Sequence, residues 1–102
     1  MKKILLCCSS GMSTSMMVNK MRTVAKENNV PVEVDAVGLD KFSEAVKVYD
    51  VILLGPQVKF KLDEFKGIAE KYGKKVAVID SVIYGQMNGK KALSDAIKLL
   101  KS

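Results

Sequence analysis

Ile4-Leu5-Leu6-Cys7-Cys8-Ser9-Ser10-Gly11-Met12-Ser13-Thr14-Ser15 is the stretch that sets the fold. An apolar run ends in a thiol, small and hydroxylated residues follow, and a helical pattern begins. That order predicts a strand over Lys3–Cys7, a loop, and a helix beginning near Ser13. Cys8 then stands at the mouth of a loop whose backbone N–H groups can converge on an anion, close to the positive end of a helix. Read this way, the segment handles phosphate and does so with cysteine.

Working outward, short β-like runs alternate with helical patterns along the rest of the chain. Val30–Val37 alternates Val30, Val32, Val34 and Ala36 with Pro31, Glu33 and Asp35, as an edge strand does. Val51–Leu54 and Val76–Ile79 are continuous apolar runs, expected to lie buried between helix layers. Between the strands, helical spacing groups Met17, Met21, Val24 and Ala25, then Phe42, Ala45, Val46 and Tyr49. It also groups Phe65, Ile68, Ala69 and Tyr72 ahead of a stop at Gly73, and finally Leu93, Ala96, Ile97 and Leu100 after a break at Gly85, Asn88 and Gly89. Most of the six methionines read as core or gap fillers.

Strand–helix repetition with short links predicts an α/β fold, a single four-stranded parallel sheet with helices on both faces. The simplest arrangement is flavodoxin-like, strand order 2-1-3-4. Sites in such sheets lie beyond the carboxyl ends of the strands, where the strand order reverses. Cys8–Met12 and Gly55-Pro56-Gln57 follow strands 1 and 3, so topology alone is expected to bring them together.

The 102 residues read as one domain with an ordinary core, and 48% apolar and 27% charged residues are typical of a soluble globular chain. No apolar run reaches the ~20 residues of a membrane span. The Met1-Lys2-Lys3 opening resembles a secretory signal only faintly, because its apolar part is too short and leads straight into helix. A cytoplasmic protein is expected. Adjacent cysteines do not make a disulfide framework. The chain has no histidine, which argues against the usual zinc sites, a cysteine–histidine pair and a histidine acid/base. No cofactor is called for. The net charge of +6 comes from 17 Lys plus Arg against 11 Asp plus Glu. The lysines are scattered and no aromatic-basic platform accompanies them, so the charge reads as a solvated surface or attraction to anions rather than nucleic-acid binding.

The chemistry centres on Cys8. A thiolate is the reactive form, and a helix N-terminus stabilises both it and an attached phosphoryl group. Ser9, Ser10, Ser13, Thr14 and Ser15 add hydroxyl donors, while Gly11 lets the backbone turn back. Cys7, inside the apolar run, reads as core. Low-molecular-weight cysteine phosphatases and arsenate reductases are the competing class. The phosphatases place an arginine at the sixth position after the cysteine, to clamp the phosphoryl group during hydrolysis. Here that position is Thr14, and Arg22 lies two turns further on.

Cys8-Ser9-Ser10-Gly11-Met12-Ser13-Thr14-Ser15 resembles the active loop of the IIB components of the bacterial sugar phosphotransferase system, lactose/cellobiose (chitobiose) family. Leu53-Leu54-Gly55-Pro56-Gln57 and Ile79-Asp80-Ser81-Val82-Ile83-Tyr84-Gly85 resemble later motifs of that family, so the likeness runs from residue 4 to about residue 89. Cys7 departs from the pattern, where an apolar residue would be ordinary. The resemblance implies a single IIB phosphocarrier domain over residues 1–102, with Cys8 as nucleophile and the backbone from Ser9 through Ser15, including Gly11 and Met12, as phosphate cradle. It implies a phosphohistidine IIA protein as donor, and a sugar held by the membrane permease IIC as acceptor. Gln57, Asp80, Ser81 and Tyr84 are candidates for the border of the site; capping by Asp80 or Ser81 and packing by Tyr84 are the structural alternatives.

Overall fold

The computed structural model describes residues 2–8 and 11–101, with the backbone alone for 11–13. Four strands, β1 (Lys2–Cys8), β2 (Val32–Gly38), β3 (Val51–Leu54) and β4 (Lys75–Val78), form one parallel sheet in the order β2-β1-β3-β4. The helices are α1 (Gly11–Glu27), α2 (Phe42–Ala45), α3 (Leu62–Glu70), α4 (Ser81–Gly85) and α5 (Gly89–Lys101), with 3-10 turns at Leu39–Lys41 and Pro56–Lys61. The expected order 2-1-3-4 is the one observed.

β1 is central and buried, pairing with β2 from Lys2↔Val32 to Cys8↔Gly38 and with β3 from Ile4↔Val51 to Cys7↔Leu54. Strand alternation splits its side chains between two cores. Ile4 and Leu6 join Met17, Met21, Leu93 and Ala96 beneath α1 and α5. Leu5 and Cys7 join Phe42, Val58, Phe65 and Ala69 beneath α2 and α3. On that second face the rings of Phe42 and Phe65 stack with centroids 3.8 Å apart, tying α2 to α3.

Several elements differ from the sequence reading at their ends, for local reasons. β2 begins at Val32 and runs to Gly38, because Pro31 has no N–H for the ladder. β4 begins at Lys75, and Ala77 and Val78 are only half-buried, since β4 is itself an edge. The helix after β2 is one turn, Phe42–Ala45, preceded by the 3-10 turn. Tyr72 is exposed beyond the end of α3, with Lys47 Nζ 5.8 Å from its ring centroid. Gly73 takes φ +69°, the left-handed conformation that ends the helical turn. α1 begins at Gly11 rather than near Ser13.

Candidate functional site

Because every strand is parallel, the segments leaving β1, β2, β3 and β4 gather at one end of the sheet. Cys8 is the last residue of β1 and is buried there. Its sequence parity with Ile4 and Leu6 puts its side chain on the face covered by α1, opposite to that of Cys7. Cys7 is packed in the second core, and burial, followed by the charge of neighbouring Cys8, pushes its thiol up to about 12. It is therefore protonated at any ordinary pH and turned away from the strand-end cluster.

β1, α1 and α4 are linked through Thr14 beside the Cys8 sulfur. Thr14, on the first turns of α1, donates its hydroxyl to Cys8 Sγ. The Thr14 Oγ1 lies 3.1 Å from the Tyr84 hydroxyl, which comes from α4 after β4. Both residues are buried, Thr14 1% and Tyr84 7% exposed. Asp80 caps α4: its Oδ1 accepts from the N–H groups of Val82 at 2.8 Å and Ile83 at 3.3 Å. The cap orients a five-residue helix too short to stand by itself. Ser81 opens α4 and is exposed.

Gly55 follows β3 and donates its N–H to Cys7 O at 3.0 Å. A Cβ at Gly55 would sit 2.7 Å from Gln57 Oε1 and 3.5 Å from Cys8 Cβ. The missing side chain thus lets the Gln57 amide fold back over the strand end beside Cys8. Gly38, the register partner of Cys8, brings the loop after β2 to the same end; a Cβ there would lie 4.0 Å from Cys8 O. The sequence reading did not single out Gly38, although the alternating β2 pattern ending in glycine marks it.

Of the expected cradle, Ser9 and Ser10 lie outside the described residues, as do the side chains of Gly11, Met12 and Ser13. Ser15 is exposed. The backbone of α1 starts at Gly11, three residues past Cys8, so the first-turn N–H groups, which a helix leaves without partners of its own, belong to the segment that contacts the sulfur. Arg22 is held elsewhere. Its Nε donates to Val34 O at 2.7 Å and its Nη2 to Asp35 Oδ1 at 2.8 Å, on the β2 edge. Among the described residues, no group of three or more His, Cys, Asp or Glu side chains is placed to hold a metal ion.

A groove of about 620 Å³ runs along the open edge of β4 past Leu62, Lys66, Lys74 and Leu99. No cysteine lines it, so this groove and the reactive thiol lie in different places, and the thiol decides in favour of the strand ends.

A flavodoxin-like parallel sheet carrying a thiol at the carboxyl end of its first strand is the class that fold and site define. Residues 3–95 match the family model for the lactose/cellobiose-specific IIB subunit of the phosphotransferase system. The chain belongs to that family. The oligo-beta-mannoside-specific EIIB component of Bacillus subtilis (strain 168) is 46% identical over 100 residues, 98% of this chain and 97% of that protein. A solution structure of the cellobiose-specific IIB component from Borrelia burgdorferi superposes with TM-score 0.82 at 37% identity, covering 98% of this chain and 92% of that one. The lactose-specific IIB domain of Streptococcus pneumoniae shares the fold, with TM-score 0.88 at 24% identity over 96% of each chain. The lactose-specific EIICB component of Lactococcus lactis subsp. lactis is 30% identical over 81 residues, 79% of this chain and 14% of that protein.

Proposed function

We propose that residues 1–102 act as a single IIB phosphocarrier domain, with Cys8 carrying the phosphoryl group between two macromolecules. The observation that carries this reading is the Cys8 sulfur held against the first turns of α1, where the N–H groups that begin a helix and its partial positive charge favour a thiolate and its phosphoryl ester. In the loading step the thiolate attacks phosphorus of a phosphohistidine on a IIA partner. An S–P bond forms and the P–N bond breaks. The electron pair returns to the imidazole nitrogen, which takes the proton the thiol gave up. In the second step a hydroxyl of the sugar held by the IIC permease attacks phosphorus, and the S–P bond breaks. The electron pair goes to sulfur, and the hydroxyl's proton restores the thiol.

Several features support the relay. The chain has no histidine, so the donor imidazole must come from outside. Exposed apolar residues stand on the elements leaving the strand ends: Met16 on α1, Phe60 (71% exposed) after β3, and Val82 on α4. Exposed apolar side chains of this kind suit docking of a protein surface. The relative named EIICB carries a similar stretch inside a much longer chain, which supports delivery to a permease. No described helix is long and apolar enough to cross a membrane; in this relay the domain docks at the inner face of the membrane through the permease. A hydrolytic reading, phosphatase or arsenate-reductase-like, lacks its clamp, with Thr14 at the arginine position and Arg22 committed to Asp35 and Val34.

The test is label transfer from phosphorylated IIA with mapping by tandem mass spectrometry. Label is expected on Cys8, lost in Cys8→Ser, retained in Cys7→Ser, and long-lived in the absence of acceptor sugar. Label on Cys7, or rapid loss to water alone, overturns the reading.

A further inference from the structure

We infer that Tyr84 is a positioning residue for Cys8, acting through Thr14. This rests on the reading of Cys8 as the reacting thiol, but its test does not require phosphoryl transfer. A threonine hydroxyl has one proton. In α1 the usual acceptor for that proton is a backbone carbonyl three or four residues back. Thr23 on the same helix shows this, donating to Asn19 O at 2.9 Å. Thr14 does otherwise: its proton goes to Cys8 Sγ. With that proton committed, the contact of 3.1 Å to Tyr84 has a fixed direction, the phenol donating and Thr14 Oγ1 accepting.

The chain of donors is therefore Tyr84 O–H to Thr14 Oγ1, and Thr14 O–H to sulfur. Both hydroxyls are buried, so water does not compete for them. Successive hydrogen bonds polarise one another, and donors to a charged acceptor gain more than donors to a neutral one. The array therefore favours sulfur in its anionic form, which is the attacking group in loading and the leaving group in delivery. Tyr84 touches no reacting atom. It holds the Thr14 rotamer that aims the proton at sulfur, and the Asp80 cap in turn fixes the short helix that carries Tyr84.

The experiment measures the rate of iodoacetamide modification of Cys8 against pH, site-resolved by tandem mass spectrometry, in the intact chain. Thr14→Val is expected to move the midpoint of the profile to the alkaline side by about one pH unit, slowing modification roughly tenfold at a fixed pH below it. Tyr84→Phe is expected to move it the same way by a smaller amount, about threefold in rate, and Thr14→Ser to restore the parent profile. The alkaline plateau reports access alone, so a purely structural role for Tyr84 would change the plateau and leave the midpoint in place. An unmoved midpoint in Tyr84→Phe or in Thr14→Val overturns the inference. A shifted midpoint in a protein whose Cys8 never takes label from phosphorylated IIA overturns the phosphocarrier reading and leaves the positioning role standing.

Discussion

Adjacent cysteines acquire different surroundings here through one backbone property, the alternation of side chains along β1. Cys7 is buried with Leu5, Phe42 and Phe65, and its thiol is pushed up to about 12. Tyr49 is raised to about 12 as well, by desolvation first and then by the hydrogen bond it donates to Asp35 Oδ2 at 2.8 Å. For both groups the folded state favours the protonated form. Their contribution to stability is fully present below the ordinary thiol and phenol values, 9.0 and 10.0, and is lost as pH rises toward about 12. The urea midpoint is therefore expected to fall across that alkaline window, and to fall less in Cys7→Val or Tyr49→Phe. An equal decline in both variants would assign the loss to other groups. At this scale the place of Cys8 at the end of β1 was legible in the apolar run and the loop that follows it, whereas the meeting of Thr14 with Tyr84 was not. The two lie 70 positions apart, and no periodicity encodes a contact between a helix start and a single-turn helix across the fold.

At the scale of elements, α1 and α5 approach more closely than side chains at the crossing would allow. A Cβ on Gly89 would fall 2.7 Å from the Lys20 carbonyl carbon and 2.9 Å from Met21 N, both backbone atoms that cannot swing aside. Gly89→Ala must push the two helices apart and loosen the packing of Met21, Ala92 and Leu93. The expected loss is about 1–3 kcal/mol, as overpacking of a tight contact generally costs, read as a lower urea midpoint with an unchanged slope. A stability equal to the parent would show that the helices slide without penalty. The sequence marked Gly89 only as a break before the last helix, because a glycine needed for close approach looks the same in a string as a glycine needed for a turn. Helix faces were legible where they pack centrally, as for Met17, Met21 and Ala25, and misleading at the periphery. Tyr72 kept the helical period but passed the end of α3 into solvent. β4 read as a buried strand because its apolar run is continuous, yet only β1 and β3 have neighbours on both sides.

For the whole molecule, strand order was legible because right-handed crossovers and an edge-like β2 leave few arrangements, and the parallel pairing that goes with it brings four loop segments to one end. The lysines behind the charge of +6 are scattered along the sequence, and exposed ion pairs such as Lys91 with Asp95 at 3.4 Å contribute little to stability. The consequence of the charge belongs to encounter. On the proposed relay the phosphorylated partner presents an anion to a cationic protein, so the association rate with phosphorylated IIA is expected to fall severalfold as salt rises through the physiological range, while the dissociation rate changes little. Stopped-flow mixing at two salt concentrations measures both. A salt-independent association rate would mean that the exposed apolar residues, not charge, govern the encounter.

The opposed orientation of the two sulfurs also bears on oxidative damage. Neighbours in an extended strand project to opposite sides, too far apart to bridge unless β1 is pulled out of its pairing with β2 and β3. Peroxide attack on Cys8 would meet no internal resolving thiol, and the sulfenic acid formed would await a small-molecule thiol from outside.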